Sequence, residues 1–290
     1  MTSRIDLHAH TTASDGRLTP AGLVDLALEK GLTLLAVTDH DSTDGVVPAM
    51  IHAAGTRLEV WPGVELSTDV ERGEVHMLGY FVDPAEVEFQ EMLSKLRWSR
   101  IGRAREMVEK LNELGMTISF ERVKEIAGDG AVGRPHVAQA LVEGGHVATS
   151  AEAFDRFLSR TGPAYADRFK LTAVDAAHLI SRAGGMPVLA HPMYISKDPN
   201  FEIRPFVRDL GDAGLVGIEC YYADASPEVI ADLVDVAREF ALIPTGGSDF
   251  HGPGVYLTEL GDRDIPAESI ERMRAWRQIQ RPTGIRNSSC

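Results

Sequence analysis

Short apolar segments alternate along the chain with segments whose apolar residues recur at helical spacing. The N-terminal apolar segments are RIDLHA (4–9), LLAVTDH (34–40) and LEVWPGVELS (58–67). Helical patterns lie between them at 19–30 and from about Thr43, and Pro20 and Gly31 mark the start and end of the first one. Such alternation is typical of βαβ units, so the pattern predicts an α/β fold with a parallel sheet.

A long helical stretch interrupts this alternation. From about Pro84 to Ala173 the segments EMLSKLRWSRIGRAREMVEKLNELG, SFERVKEIAG, RPHVAQALVEGG and SAEAFDRFLSR succeed one another, separated by glycines. Alternation then resumes with MPVLAHP, a helix from about Arg204, GLVGIECYY, a helix near 227–239, and ALIPTGGSDFHG. We predict a helical insertion at 84–173 within a discontinuous barrel, 1–83 and 174–280, with a flexible tail at 281–290.

The balance of charges narrows the range of partners. Acidic residues outnumber basic ones, 43 to 29, and the formal net charge is −14. This charge argues against binding of duplex nucleic acid, and a phosphorylated substrate would need metal ions or a local arginine cluster. Hydrophobic residues make up 44% of the chain and charged residues 25%, which is an ordinary globular composition.

The cysteines and the N-terminal segment indicate the cellular compartment of the protein. Cys220 and Cys290 do not suggest a disulfide framework, so a reducing compartment fits. The start MTSRIDLHAH has no apolar signal region, and no window approaches the ~20 apolar residues that span a bilayer. We expect a cytoplasmic protein with no membrane partner.

Two histidines at the end of the first apolar segment are the first candidate metal ligands. Side chains alternate along a strand, so His8 and His10 point to the same face. Histidine or acidic residues also stand at the C-terminal end of nearly every predicted strand. In barrels of alternating strands and helices, active sites form at that end of the sheet. The full set of candidate ligands is His8, His10, Asp15, His40, Glu65, His76, His191, Asp249 and His251.

This set is too large for one four-coordinate ion, so two or three divalent ions are expected. Ligands without thiolates suit Mn²⁺, our first choice, and also Zn²⁺ or Fe²⁺. Glu65, as the one glutamate of the set, is the natural bridge between two ions. Individually, Asp15 has the alternative of an Asx turn before Gly16, and His76 that of a buried structural histidine.

The motifs DLHAHTTASDG, AVTDHDS, PGVELS, HMLGY, AHP and GSDFHG resemble, in this order, those of the PHP (polymerase and histidinol phosphatase) family. The resemblance runs from residue 5 to about 251 and implies a distorted (β/α)7 barrel with a trinuclear metal site. It implies a first ion held by His8, His10, Glu65 and Asp249. It also implies a second ion held by His76 and His191 and shared through Glu65, and a third held by Asp15, His40 and His251.

The resemblance extends to the insertion, whose RWSRIGRAREMVEKLNELG and VGRPHVAQAL segments are similar to small bacterial PHP phosphoesterases. Members of that group include a 3',5'-nucleoside bisphosphate phosphatase. Clustered ions suit hydrolysis of a phosphate ester by attack of a metal-bridging hydroxide, with Glu65, His191, Asp249 and His251 as the catalytic residues. Asp39 and Asp41, beside His40, are expected to be solvated loop carboxylates, with orientation of His40 or a water as the alternative.

The insertion is expected to supply substrate contacts. Arg100 and Arg103 share a helix face, and Arg134 and His136 begin another helix, whose N-terminal amides attract anions. These groups could clamp a second phosphate, although surface salt bridges are the alternative for the arginines. Trp98 and Ser99 adjoin this cluster, and Trp98 or Tyr194 could stack on a base or simply pack.

These features favour a phosphoric monoester hydrolase that removes the 3'-phosphate of a nucleoside 3',5'-bisphosphate, such as adenosine 3',5'-bisphosphate, and leaves the 5'-monophosphate. A 5' to 3' exonuclease on short 5'-phosphorylated oligonucleotides would use the same parts. Histidinol phosphate phosphatase, an amidohydrolase that cleaves a C–N bond, and a non-catalytic metal-stabilised interaction module are further alternatives.

Overall fold

The computed structural model describes residues 4–70, 73–128, 130, 132–195, 202–255 and 258–280. Eight strands form one sheet. They are β1 (Arg4–Asp6), β2 (Leu32–Val37), β3 (Glu59–Val70), β4 (Gly73–Tyr80), β5 (Leu171–Thr172), β6 (Met186–Leu189), β7 (Gly217–Tyr222) and β8 (Ile243–Gly247). The expected tail at 281–290 lies outside the described residues.

The sheet curls into a nearly closed barrel of seven strands. The order is β1-β2-β3-β4-β6-β7-β8, and β5 pairs only with β3. A parallel bridge between Ala9 and Phe250 joins the two ends of the sheet, just beyond β1 and β8. A Cβ at Gly247 would lie 2.3 Å from the Cβ of His8, so the close approach of β8 to the first strand requires glycine there. The predicted α/β barrel is confirmed.

One strand, β4, departs from the parallel pairing that the hydrophobic pattern predicts. This strand runs antiparallel to both β3 and β6. The sequence between β3 and β4, residues 71–72, is too short for a crossover helix, and the two strands pair from Gly63 with Tyr80 to Val70 with Gly73. This antiparallel strand distorts the barrel from a regular β/α repeat.

The helices fall largely where the hydrophobic pattern places them. They are α1 (Pro20–Glu29), α2 (Val46–Ala53), α3 (Val87–Glu113), α4 (Phe120–Ala127), α5 (Arg134–Glu143), α6 (Ser150–Ala153), α7 (Ala173–Arg182), α8 (Ile203–Asp212), α9 (Pro227–Glu239) and α10 (Ala267–Gln280). Thr19 caps α1 by accepting a hydrogen bond from Gly22 N. The helix expected from about Thr43 begins at Val46, because a turn at 43–45 precedes it.

The barrel and the segment 84–173 each have apolar clusters of their own. One barrel cluster includes Ile5, Leu34, Trp61 and Met186, while another packs α1 and α2 against the first strands. The segment from α3 to α6 encloses a separate cluster, with Met107, Leu111, Val123, Val137 and Leu141 among its members. This separation supports the proposed division into barrel and insertion. The first half of α3, around Phe89 and Leu93, packs instead with the barrel cluster that contains α7.

Candidate metal centre

The carboxylate of Glu65 lies at the centre of five imidazole rings. Its Oε2 is 3.2 Å from His8 Nε2, 3.2 Å from His10 Nε2 and 3.1 Å from His40 Nδ1. Its Oε1 is 2.7 Å from His76 Nδ1 and 3.0 Å from His191 Nε2. Glu65 is completely buried, so both oxygens face these rings and not solvent. This geometry suits the bridging role expected of Glu65.

The strands deliver these rings to one rim of the barrel. The first strand ends at Asp6, earlier than predicted, yet the extended chain beyond it still carries His8 and His10 to the same carboxylate. His40 forms a parallel bridge with Glu65. His191 lies just beyond the end of β6. His76 is an exception to the prediction that the ligands follow the ends of parallel strands. It lies on the antiparallel strand β4, opposite Ser67 of β3.

Two aspartates complete the cluster on its open side. Asp249 Oδ1 lies 3.0 Å from His10 Nε2 and 3.3 Å from His8 Nε2. Asp15 Oδ1 lies 3.3 Å from His251 Nε2, and its Oδ2 lies 3.9 Å from His40 Nε2. The structure therefore brings all nine candidate ligands together, including Asp15 and His76, for which structural alternatives were open.

Backbone strain coincides with this rim. His191 has φ of 24° and Asp249 has φ of 53°, while Asp41, the residue after His40, has φ of 51°. Non-glycine residues rarely adopt positive φ, and such residues cluster at functional sites, where the surrounding structure enforces them. Each of these three residues lies in a turn of the chain that follows a strand, where a polar side chain enters the cluster.

The electrostatics of the cluster keep its carboxylates ionised. Burial raises the pKa of Glu65, but the adjacent histidines, His40 and His76 first, outweigh burial and hold it well below its usual range. The pKa values of Asp15 and Asp249 are likewise lowered well below normal against the effect of burial, by His40 and His251 and by His8 and His251, respectively. A buried group of three carboxylates with imidazoles is a strong cation site.

The pKa values of two of the histidines are shifted in opposite directions. Burial opposes protonation of His10, but Asp249 and Glu65 outweigh it and raise its pKa to about 10. For His40 burial prevails over the attraction of Glu65 and Asp15, and the nearby His10 and His76 add to it, so its pKa falls to about 3. A bound cation would replace the extra protons, because metal ligation requires the neutral imidazole.

The donor atoms fit divalent ions. His8 Nε2, His10 Nε2, Asp15 Oδ1, His40 Nδ1, Glu65 Oε2 and Asp249 Oδ1 are buried and make no hydrogen bond. Three groups have one donor atom per residue within 4.8 Å of one another: His8, His10, Glu65 and Asp249; His10, Asp15, His40 and His251; and His40, Glu65 and His76. The first group equals an expected ligand set. The second group differs from the set expected for the third ion by the addition of His10. The third group differs from the set expected for the second ion, because it contains His40 with His76 and lacks His191, whose ring reaches Glu65 Oε1.

The expectation that Asp39 and Asp41 are solvated was wrong, because both are completely buried. Asp39 accepts hydrogen bonds from Thr11 N, Thr11 Oγ1 and Ser14 Oγ, all at 2.7 Å. Asp41 accepts hydrogen bonds from Arg100 Nε at 2.6 Å and from Ser67 N at 3.1 Å. The hydrogen bonds of Asp39 and Asp41, the residues on either side of His40, thus fix the loop that carries His40.

Three further residues at the cluster were not predicted from the sequence. Glu219 of β7 is completely buried and contacts both His8 and His191. Tyr222 donates a hydrogen bond to Asp249 Oδ2 at 2.7 Å. The side chain of Arg168 is almost fully buried, with Nη2 3.7 Å from Asp41 Oδ2. The signal for Glu219 was present, since a glutamate within the apolar segment GLVGIECYY needs a buried partner.

A cavity of about 230 Å³ opens beside the cluster. Predicted ligands form one side of it, including Asp15, His40, His76, His191, Asp249 and His251. Arg100, Arg103 and Arg134 form part of its remaining wall, together with Ser67 and the aromatic residues Phe154, Tyr194 and Tyr222. The segment 84–173 therefore returns over the barrel rim and places three guanidinium groups within one cavity with the candidate metal ligands.

The other predicted substrate contacts lie elsewhere. Trp98 is 71% exposed, and Ser99 donates hydrogen bonds to the carbonyl oxygens of Leu96 and Phe169. Neither shares the helix face of Arg100, because residues one or two positions apart on a helix do not face each other. His136 is buried, and its Nδ1 accepts a hydrogen bond from Gly133 N. The lining of the cavity does not include these three residues.

Comparison with known proteins identifies the family. The PHP domain model matches residues 6–81. The chain is 36% identical to the 5'-3' exoribonuclease Rnm of Escherichia coli (strain K12), over 96% of this chain and 95% of that one. The chain belongs to the PHP family. It is also 34% identical to the 3',5'-nucleoside bisphosphate phosphatase of Chromobacterium violaceum, over 91% of this chain and 93% of that one.

Two solved structures share the fold. An amidohydrolase from Chromobacterium violaceum, solved with bound sulfate and no metal, has a TM-score of 0.85 at 32% identity and covers 95% of this chain and 97% of its own. A metal-dependent phosphoesterase from Bifidobacterium adolescentis has a TM-score of 0.84 at 29% identity, with 95% and 96% covered. The protein is thus a metal-dependent phosphoesterase of the PHP family. Within its described residues, no helix combines the length and apolar composition needed to cross a bilayer.

Proposed function

We propose that this PHP protein removes the 3'-phosphate of nucleoside 3',5'-bisphosphates, such as adenosine 3',5'-bisphosphate, and releases the 5'-monophosphate. One observation carries the proposal: the candidate metal ligands and the three arginines line the same small cavity. Ligand pockets usually enclose about 300–1,000 Å³, and this cavity of about 230 Å³ lies below that range, which favours a small substrate. A cavity with separate sites for two anions selects a substrate with two phosphates.

The metal side of the cavity would hold the scissile phosphate. The residues that would hold the ions are the nine candidate ligands, with Glu65 shared between them. Bound divalent ions would lower the pKa of a water and neutralise charge that develops on the phosphoryl group. The chain itself contributes the fixed positions of these ligands: Glu65 is packed among five rings, and Tyr222 holds Asp249 through its hydroxyl. We propose Mn²⁺ as the bound metal; the imidazole and carboxylate donors suit it, as they also suit Zn²⁺ and Fe²⁺.

The arginine side would hold the second phosphate. Arg100 donates hydrogen bonds to Asp41 Oδ2 and Ser67 Oγ, so it is fixed in the cavity wall. Arg134 is the least buried of the three and begins α5, whose N-terminal amides favour an anion. A guanidinium binds phosphate with two parallel hydrogen bonds, so Arg134 and Arg103 are the proposed clamp for the 5'-phosphate.

Aromatic residues in the cavity would contact the nucleoside. Tyr194 is half exposed, its hydroxyl donates a hydrogen bond to Asp224, and its ring lies 5.7 Å from that of Tyr222. Phe154 lies on the insertion side, where the guanidinium of Arg134 covers its ring at 5.7 Å. A base could stack on the exposed ring of Tyr194, since aromatic stacking tolerates every base. Trp98 is not proposed for this role, because it does not line the cavity.

A second candidate is a 5' to 3' exonuclease on short oligonucleotides. Three relatives that align with at least 90% of the chain, one of them from Haemophilus influenzae, are 5'-3' exoribonucleases. The same arginines would bind the 5'-phosphate of the terminal nucleotide, and the scissile diester would take the place of the 3'-phosphate. The two substrates differ only in whether the 3'-phosphorus carries a further nucleotide.

A substrate panel separates the two activities. The Mn²⁺-loaded protein would be given adenosine 3',5'-bisphosphate, 3'-AMP, 5'-AMP and a short 5'-phosphorylated oligoribonucleotide at equal concentrations. Phosphate release mainly from the bisphosphate, with 5'-AMP as the other product, supports the proposal. Release of mononucleotides mainly from the oligonucleotide contradicts it in favour of the exonuclease. Inactivity on all four, with cleavage of simple amides, would contradict both.

A further inference from the structure

We propose that Glu219 is a positioning residue, which fixes the ring of His8 in the tautomer that can bind a metal ion and anchors the backbone of His191. This inference rests on the proposed function, because it requires His8 to be a ligand. It adds a residue from outside the nine candidates and gives it a defined effect on one ion.

Glu219 lies on β7, beneath the metal cluster, and is completely buried. Its Oε1 is 3.1 Å from His8 Nδ1 and its Oε2 accepts a hydrogen bond from the backbone N–H of His191 at 2.8 Å. A buried carboxylate that lacked partners would strongly destabilise the fold, so these two contacts explain how a glutamate is tolerated inside this strand. Each oxygen serves one histidine.

The contact with His8 assigns the proton on that ring. The oxygens of a carboxylate accept hydrogen bonds, and Oε1 lies within hydrogen-bond distance of His8 Nδ1, so the geometry assigns the ring hydrogen to Nδ1. The other nitrogen, Nε2, lies 3.2 Å from Glu65 Oε2 and 3.3 Å from Asp249 Oδ1, and it makes no hydrogen bond. Nε2 is therefore the atom that would bind an ion together with these two oxygens. Carboxylates that orient metal-binding histidines in this way also raise the basicity of the ring.

The contact with His191 holds a strained turn. His191 has φ of 24°, at the point where the chain leaves β6, and its ring still reaches Glu65 Oε1 at 3.0 Å. The hydrogen bond from its backbone to Glu219 helps to hold this conformation. One carboxylate thus connects ligands expected to serve two different ions, since His8 belongs with the first ion and His191 with the second.

Glu219→Gln tests the assignment because it changes hydrogen bonding with almost no change in volume. The backbone N–H of His191 can only donate, so the amide oxygen must face it. The amide NH₂ then faces His8 Nδ1, which has to accept and thus cannot carry the hydrogen. The hydrogen moves to Nε2 and blocks the atom that would bind the ion. Cys220→Ala is the matched control, because Cys220 is a buried neighbour on the same strand whose side chain points to the opposite face.

The experiment measures metal binding without substrate. Wild type, Glu219→Gln and Cys220→Ala are loaded with Zn²⁺, and the bound ions and their affinities are determined by chelator competition and elemental analysis. Loss of roughly 10- to 100-fold in affinity for one or more ions in Glu219→Gln only is the expected result. Equal affinities in Glu219→Gln and wild type would overturn the proposal, as would a wild type that binds no metal.

A spectroscopic measurement covers the case in which Glu219→Gln does not fold. In Zn²⁺-loaded wild type, nitrogen-15 spectra of the histidine rings should show His8 with a protonated Nδ1 and a metal-bound Nε2. A metal-bound Nδ1 would overturn the proposal. A wild type that binds Zn²⁺ in this way but, when loaded with Mn²⁺, releases no phosphate from the bisphosphate would refute the proposed substrate and leave the role of Glu219 supported.

Discussion

Arg100 on α3 donates a hydrogen bond from Nε to Asp41 Oδ2 at 2.6 Å, and both side chains are buried. Asp41 belongs to the barrel loop that carries His40, whereas Arg100 belongs to the segment predicted as an insertion. Nη2 of Arg168 lies 3.7 Å from the same carboxylate oxygen. This buried charge cluster therefore connects the loop of a candidate ligand to the wall of the substrate cavity.

Removal of Asp41 should destabilise the protein strongly. Asp41→Ala removes a buried carboxylate that contacts the buried guanidinium groups of Arg100 and Arg168, so we expect a loss of about 3–5 kcal/mol in the free energy of unfolding. Urea titration of the metal-free protein measures this loss. Asp44→Ala, at an exposed position three residues away, serves as the control and should change the free energy by less than about 0.5 kcal/mol. Equal effects of the two substitutions would contradict the structural role of Asp41.

The same carboxylate predicts a pH dependence of stability. Burial raises the pKa of Asp41, but Arg100 and Arg168 outweigh it, so the pKa lies below its ordinary value of 3.8. A group whose pKa is lowered by folding stabilises the protein fully above its unfolded pKa, and the stabilisation disappears as the pH falls through the folded pKa. The difference in unfolding free energy between wild type and Asp41→Asn should be constant from neutral pH to about pH 5 and shrink in stronger acid. A difference that grows in acid would contradict this.

Metal removal should abolish catalysis and lower stability without unfolding the chain. The barrel has apolar clusters that do not depend on the cluster of ligands. Dialysis against a chelator should therefore leave the circular dichroism spectrum unchanged, while activity disappears and returns with Mn²⁺. At a free metal concentration of 100 times Kd, each bound ion should add about 2.7 kcal/mol to the free energy of unfolding. Activity that survives complete removal of metal would exclude a metal-dependent mechanism.

The sequence predicted which side chains gather at the barrel rim, because alternation along strands is a local property. His8 and His10 share a face whatever the barrel around them, and parallel strands end at the same rim, which brings His40 and His191 near them. His76 reached the cluster for another reason, since only the strand pairing shows that β4 runs antiparallel. That pairing is a tertiary property that the hydrophobic pattern does not contain.

The substrate side was predicted less completely because it depends on how the insertion folds back. Helical spacing placed Arg100 and Arg103 on one face, and this face does line the cavity. Spacing alone does not show which face turns inward, so Trp98 was included although it points outward. The burial of Asp41 likewise depends on Arg100, which lies far from it in sequence.

The proposed function depends on one cavity that recognises two phosphates, and Arg134→Ala isolates this recognition. The measurement is kcat/KM for adenosine 3',5'-bisphosphate and for 3'-AMP with the Mn²⁺-loaded protein. Arg122→Ala, which removes an exposed arginine paired with Glu125 and Glu143, is the control.

We predict that Arg134→Ala lowers kcat/KM for the bisphosphate by roughly 10- to 100-fold, the equivalent of one hydrogen-bonded charge contact, and leaves 3'-AMP hydrolysis unchanged. Arg122→Ala should affect neither substrate. An unchanged kcat/KM for the bisphosphate in Arg134→Ala, or an equal loss for both substrates, would contradict recognition of two phosphates.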